Sequence, residues 1–169
     1  MTEVPSPGEP PAPPFPEGRI GVISDTHGLL RPEALAALAG AERILHAGDV
    51  GDPGILDALG RIAPTAAIRG NVDRGAWAEA LPEAATLTAG GLRIHMIHNR
   101  KDLRADPAAE GWDVVISGHS HRPGVEEAGG VLWLNPGAAG PRRFRLPVTL
   151  AFLWEEGGRP RAAIRDLLG

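Results

Sequence analysis

The sequence predicts an α/β fold, a sandwich of two mixed β-sheets flanked by helices. Three observations carry this. Short apolar segments alternate with helical ones through residues 19–71. Beyond them, Gly-Gly pairs separate three pairs of strand-like segments. A chain of 169 residues with 43 % apolar side chains builds one core comfortably, and hardly two.

Taken in order, residues 1–17 hold Pro5, Pro7, Pro10, Pro11, Pro13, Pro14 and Pro16. That density removes backbone donors and blocks helix and sheet. A disordered leader at 1–17 and a single domain over 18–169 are expected. Residues 19–25 (RIGVISD) are apolar without alternation, as in a strand buried on both faces. The spacing predicts a helix over 32–39, opened by Pro32 and stopped by Gly40. A strand at 43–49 (RILHAGD), a short helix at 52–59 and a strand at 65–71 (TAAIRGN) follow. This βαβαβ order implies parallel strands with right-handed crossovers.

Segments 84–89 and 92–98 flank Gly90-Gly91, a hairpin signal. The pairs 125–127/131–134 and 148–154/161–167 flank Gly129-Gly130 and Gly157-Gly158 in the same way. Residues 113–119 (DVVISGH) read as another buried strand, and 102–110 as a weaker helix interrupted by Pro107. The later half is expected to be largely antiparallel.

The formal net charge of −4 and pI near 5.8 argue against a surface made to bind polymeric nucleic acid or anionic membrane. Arg142, Arg143 and Arg145 cluster locally and read as solvated loop residues. With no cysteine, disulfides and thiolate metal sites are excluded, and any metal must sit on His, Asp, Glu or Asn. No apolar run approaches the roughly 20 residues of a membrane span, and no signal-peptide pattern opens the chain. A cytoplasmic location is expected.

The chemistry lies where the strands stop. The first ends at Asp25, with His27 two residues on; the second at Gly48-Asp49; the third at Gly70-Asn71. Later strands end at His98 and at Gly118-His119, with His121 two residues on. Parallel strands deliver their C-terminal ends to one sheet edge, where α/β proteins place ligand sites. Asp25, Asp49 or Asn71 alone is an ordinary cap or turn former, and His98 alone an ordinary satisfied or half-exposed histidine, whereas the His119-Ser120-His121 pair is already suggestive. Seven oxygen and nitrogen donors at successive strand ends point instead to a shared metal cleft. His46 lies inside a strand and reads equally as a packed residue or one that orients a ligand. His95 alternates out of phase with His98 and faces away.

The ordered motifs DTHG (25–28), GD (48–49), GN (70–71), His98 and GHSH (118–121) resemble the calcineurin-like metallophosphoesterase superfamily. They are most similar to its small bacterial and archaeal YfcE-like phosphodiesterase branch. NPG (135–137) and Pro141-Arg142 resemble that branch's closing motif. The resemblance covers residues 19–167 and implies an αββα sandwich. It further implies that Asp25, His27 and His121 hold one divalent metal, and Asn71, His98 and His119 a second, with Asp49 bridging both. Asp49, Asn71 and His98 would then serve catalysis, and Asn71 the substrate phosphate. Mixed nitrogen and oxygen donors suit Mn, Fe, Zn, Co or Ni, and the resemblance favours manganese. The implied reaction is hydrolysis of a small phosphodiester by a hydroxide between the metals.

Related phosphomonoesterases carry Gly-Asn-His-Glu, whose His assists the leaving group. Here the run is Gly70-Asn71-Val72-Asp73. Valine donates no proton, and such help is worth roughly 10²–10⁴ in rate. Weak action on monoesters is therefore expected, as is a preference for diesters or acidic leaving groups. Arg100 follows the His98 strand end as either a phosphate contact or a solvated residue, and Ala138 stands where the branch often has serine. Two alternatives share the fold: a protein-binding scaffold like the retromer subunit, and a nuclease. The oligomeric state, a homo-oligomer included, is not legible in the sequence.

Overall fold

The computed structural model describes residues 18–169, so the leader expected at 1–17 lies outside the described residues. The first half folds as its rhythm requires. Strands β1 (Ile20–Ile23), β2 (Arg43–His46) and β3 (Thr65–Ala67) pair in parallel. They are joined by α1 (Pro32–Leu38) and α2 (Pro53–Gly60). Both helices begin on proline, whose missing N–H is no loss in a first turn. The Asp52 carboxylate caps α2 by accepting from the Gly54 N–H at 2.8 Å.

A four-residue helix, α3 (Ala76–Glu79), carries no warning in the sequence pattern. The three Gly-Gly signals all mark hairpins. They join β4 (Ala84–Ala89) to β5 (Leu92–Ile97), β7 (Gly124–Ala128) to β8 (Val131–Asn135), and β9 (Thr149–Glu156) to β10 (Arg159–Asp166). The later half is less antiparallel than expected. Strand β6 (Val114–Ile116) pairs in parallel with both β5 and β8, so the β4–β5 and β7–β8 hairpins flank a parallel centre, while β9 joins the first sheet antiparallel to β1. Residues 102–110 are not one interrupted helix either. A 3₁₀ turn covers Arg100–Asp102, and Pro107 opens α4 (Pro107–Glu110), where its missing donor costs nothing.

The strand orders are β10-β9-β1-β2-β3 and β4-β5-β6-β8-β7. Val22, Leu45 and Leu153 of the first sheet meet Ile94, Met96, Ile116 and Leu134 of the second in the main core. The first sheet's other face, with Ile44 and Phe152, takes Leu38 of α1 and Leu59 of α2. Trp112, Val115 and Val131 form a smaller cluster outside the second sheet. Strands β1, β2 and β3 of one sheet and β5 and β6 of the other therefore carry the loops of a shared edge.

Candidate metal centre

The loops after β1 and β2 are laced together. The Asp25 N–H donates to the Gly48 carbonyl at 3.0 Å and the His27 N–H to the Asp49 carbonyl at 2.9 Å. This brings the first two predicted carboxylates to one point. Asp25 is fully buried. Its Oδ2 accepts from the Ser24 hydroxyl at 2.6 Å and from the His119 N–H at 3.1 Å. Its Oδ1 has no hydrogen-bond partner and lies 3.3 Å from His121 Nε2 and 3.6 Å from His27 Nε2. Asp49 accepts the Val72 N–H on Oδ1 at 3.0 Å. Its Oδ2 stands 3.1 Å from His98 Nε2 and 3.6 Å from His27 Nε2.

Two donor groups result: Asp25, His27 and His121; and Asp49, His98 and His119. Asn71 joins the second through its amide, 3.5 Å from His119 Nδ1. All seven residues singled out as metal donors thus meet at one edge. Arg100 does not reach into the cluster. Its guanidinium lies over the Trp133 ring at 4.0 Å and 3.3 Å from Glu126. It lines a cleft of about 700 Å³ together with His119 and Asn135. A second cleft, of about 730 Å³, is lined by Asn71, His98 and Arg74.

The donor chemistry fits cations. His27 and His121 point Nε2 at each other across 3.3 Å, where two N–H groups could not both sit. His98 Nδ1 donates to the Ala47 carbonyl at 2.7 Å, which turns the Nε2 lone pair toward Asp49. Either a proton or a cation must sit between them. Burial opposes a proton there, but the Asp49 carboxylate and the Ala47 carbonyl outweigh burial and raise the His98 pKa. Burial likewise works against ionised Asp25. The His121 and His27 rings and the Ser24 hydroxyl prevail and hold its carboxyl well below the usual carboxylate range.

The backbone is strained at the same residues. Asp25, His27, Asp49, His119 and His121 have φ between 46° and 68°, and Phe144 is the only other described non-glycine residue with positive φ. Each costs about 1–2 kcal/mol, and such outliers cluster where function over-determines the geometry. Two glycines permit the packing. A Cβ on Gly70 would strike the Asp49 backbone nitrogen, and one on Gly118 would come within 2.6 Å of Asp25 Oδ2.

Residues left open by the sequence now have places. His46 is fully buried under the loops, accepting the Gly48 N–H on Nδ1 at 3.1 Å and meeting Thr26 Oγ1 through Nε2 at 3.0 Å. Asp73 ties the loops together. It accepts from the N–H groups of Val50, Gly51 and Gly70, clamping two site loops. Asn135 donates to the Gly118 carbonyl and the Ser120 hydroxyl, so the NPG segment supports the GHSH loop. Ser24 and Thr26 were overlooked; their signal was adjacency to Asp25. His95 stacks on Trp112 at 3.9 Å and bonds Thr86, away from the cluster.

Residues 19–157 match the model of the calcineurin-like phosphoesterase superfamily domain. The chain belongs to the calcineurin-like phosphoesterase superfamily. This phosphoesterase is 39 % identical over 131 residues to a probable metallophosphoesterase of Methanothermobacter thermautotrophicus, covering 70 % of this chain and 76 % of that one. It is 31 % identical over 159 residues to the probable metallophosphoesterase YsnB of Bacillus subtilis, covering 88 % and 90 %. Solved structures share the fold. Chaetomium thermophilum Vps29 superposes with a TM-score of 0.71 at 21 % identity, covering 88 % of this chain and 96 % of that one. A structure described as a novel archaeal phosphodiesterase gives a TM-score of 0.67 at 23 % identity, with 87 % and 99 % covered. No helix among the described residues is long and apolar enough to cross a membrane.

Proposed function

We propose that this phosphoesterase is a dinuclear-metal phosphodiesterase of the cytoplasm, acting on small phosphodiesters. The observation that carries the reading is Asp49 Oδ2, set between His98 Nε2 at 3.1 Å and His27 Nε2 at 3.6 Å, one from each donor group. In this reading Asp25, His27 and His121 hold one ion, Asn71, His98 and His119 the other, and Asp49 is shared. Manganese is the proposed metal. When bound, the two ions supply Lewis acidity that makes water nucleophilic near neutral pH and draws charge off phosphoryl oxygens.

The chain's own residues prepare the reaction. Asp49 would offset the repulsion between two cations, and Asp25 would add its charge to the group that holds one of them. Ala47 fixes the His98 tautomer, and Asp73 and Asn135 hold the loops that carry the other donors. The Asn71 amide, exposed at the rim, has a second N–H beyond its contact with His119 to donate to a phosphoryl oxygen. No imidazole is left over as a leaving-group acid. His27, His98, His119 and His121 are donors, His46 is buried, His95 lies elsewhere, and Val72 occupies the rim half-exposed. That favours diesters over monoesters with alkoxide leaving groups. The intact donor set also favours hydrolysis over a purely protein-binding role.

The test is hydrolysis of bis-p-nitrophenyl phosphate by chelator-stripped protein, before and after adding Mn²⁺. Activity should appear with metal, exceed that on p-nitrophenyl phosphate, and fall at least ~10²-fold in Asp49→Ala. Folded protein inert with Mn, Fe, Co, Ni and Zn would overturn the reading.

A further inference from the structure

We propose that the loop at 141–147 is a nucleoside platform, so that the diesters cleaved here carry a nucleotide; this rests on the phosphodiesterase reading above. The loop reads PRRFRLP, with no acidic residue. Its three arginines are exposed, and none forms an ion pair among the described residues. Phe144 is 89 % exposed at φ 53°. A phenyl ring held in water by a left-handed residue is doubly unfavourable, through hydration and through backbone strain. A mere solvated spacer would need neither.

The loop springs from the metal centre itself. The Ala139 N–H donates to the Ser24 carbonyl at 3.0 Å and the Gly140 N–H to the Asp25 carbonyl at 3.3 Å. The Arg31 Nε–H donates to the Gly140 carbonyl at 3.0 Å, and an Ala138–Val148 bridge closes the far end. Phe144 is therefore presented from a base tied to Asp25.

Arg122 makes the surface continuous. It follows His121 and lines the cleft that holds His119 and Ser120. It also lines a further cleft of about 570 Å³ with Phe144, Arg145 and Leu146. A diester at the donor cluster would lay one substituent along Arg122 toward Phe144. A planar base has a face to stack on the ring, and a neighbouring phosphate suits the guanidinium forks of Arg122 and Arg145. An alkyl substituent would use neither. The net charge of −4 and the shortness of the loop favour a mono- or dinucleotide over a polymer.

Two substrates with one leaving group isolate the platform: thymidine 5′-(p-nitrophenyl phosphate) and methyl p-nitrophenyl phosphate. The wild type should show a lower KM for the thymidine compound. Loss of one stacked base corresponds to roughly 5- to 150-fold, so Phe144→Ala should collapse the KM ratio and Phe144→Trp should keep it. A wild-type ratio near one, or a ratio unchanged in Phe144→Ala, overturns the proposal. Binding of 5′-phosphorylated dithymidine dinucleotide, measured by calorimetry in chelator, reads the platform without turnover. Phe144→Ala should weaken it by a similar factor, and Arg145→Ala should flatten its salt dependence by about one phosphate contact. If neither substrate is cleaved but Phe144→Ala weakens binding, the phosphodiesterase reading falls and the platform stands. Binding that is absent or indifferent to Phe144 overturns the platform.

Discussion

His46 and His98, both buried beside the site, have opposite proton preferences. His98 faces Asp49 and is pushed toward the charged form. His46 is wholly enclosed; burial outweighs the attraction of Asp25 and Asp73 and lowers its pKa to about 4. It is therefore neutral at pH 7, accepting from Gly48 and donating to Thr26. An unfolded histidine titrates near 6.5, so below that pH the unfolded chain binds the proton first and the folded state loses ground. His46 thus contributes stability that is complete above pH 6.5 and declines as pH falls toward 4. We expect metal-free protein to lose about 2 kcal/mol from this residue between pH 7 and 4.5. Urea unfolding of wild type and His46→Gln checks this; equal pH dependence in both would contradict it. At this scale the donors were legible because each is a ligand-type residue at a strand end. His46 and Asp73 were only half-legible, since an isolated His or Asp says nothing of which N–H it will meet.

Each strand of the site edge hands its donor to a turn that only one geometry satisfies. Gly118 lies in the loop just after β6 with no room for a methyl group, being against the Ser24 hydroxyl and 2.6 Å from Asp25 Oδ2. Gly118→Ala must push Asp25 aside while leaving the sheet pairing of β6 intact. A displacement of about 1 Å at a reacting centre costs roughly 10²-fold in rate. We expect diesterase activity to fall by about that factor, with a circular dichroism spectrum like that of wild type; unchanged activity would show that Asp25 tolerates the shift. The Gly-Gly hairpins and the proline helix starts could be read directly, because those residues act through their own backbone. The parallel centre of the second sheet could not. Hairpins announce themselves locally, whereas the β5–β6 and β6–β8 pairings join segments far apart in sequence.

The whole molecule is what assembles the centre: Asp25, His27, Asp49 and Asn71 follow strands of one sheet, and His98, His119 and His121 follow strands of the other. Metal binding should therefore clamp sheet to sheet. A metal that binds only the folded chain, at 100 times its dissociation constant, adds about 2.7 kcal/mol. For a domain of this size that is a rise of about 5–10 °C in Tm. A thermal melt with and without Mn²⁺ should show it, and Asp49→Ala should abolish it; equal shifts in both proteins would place the metal elsewhere. The sequence by itself determined the strand and turn rhythm, the family and the candidate donor residues, because all of these reside in local pattern and residue type. Tertiary structure alone decided the distances that set Asp49 Oδ2 between the two donor groups, the left-handed backbone of Asp25, His27, Asp49, His119 and His121, and the exposure of Phe144 on a loop tied at its base to Ser24 and Asp25. Those facts depend on contacts between the loops and sheets of the folded chain, and no local pattern encodes a distance across a fold.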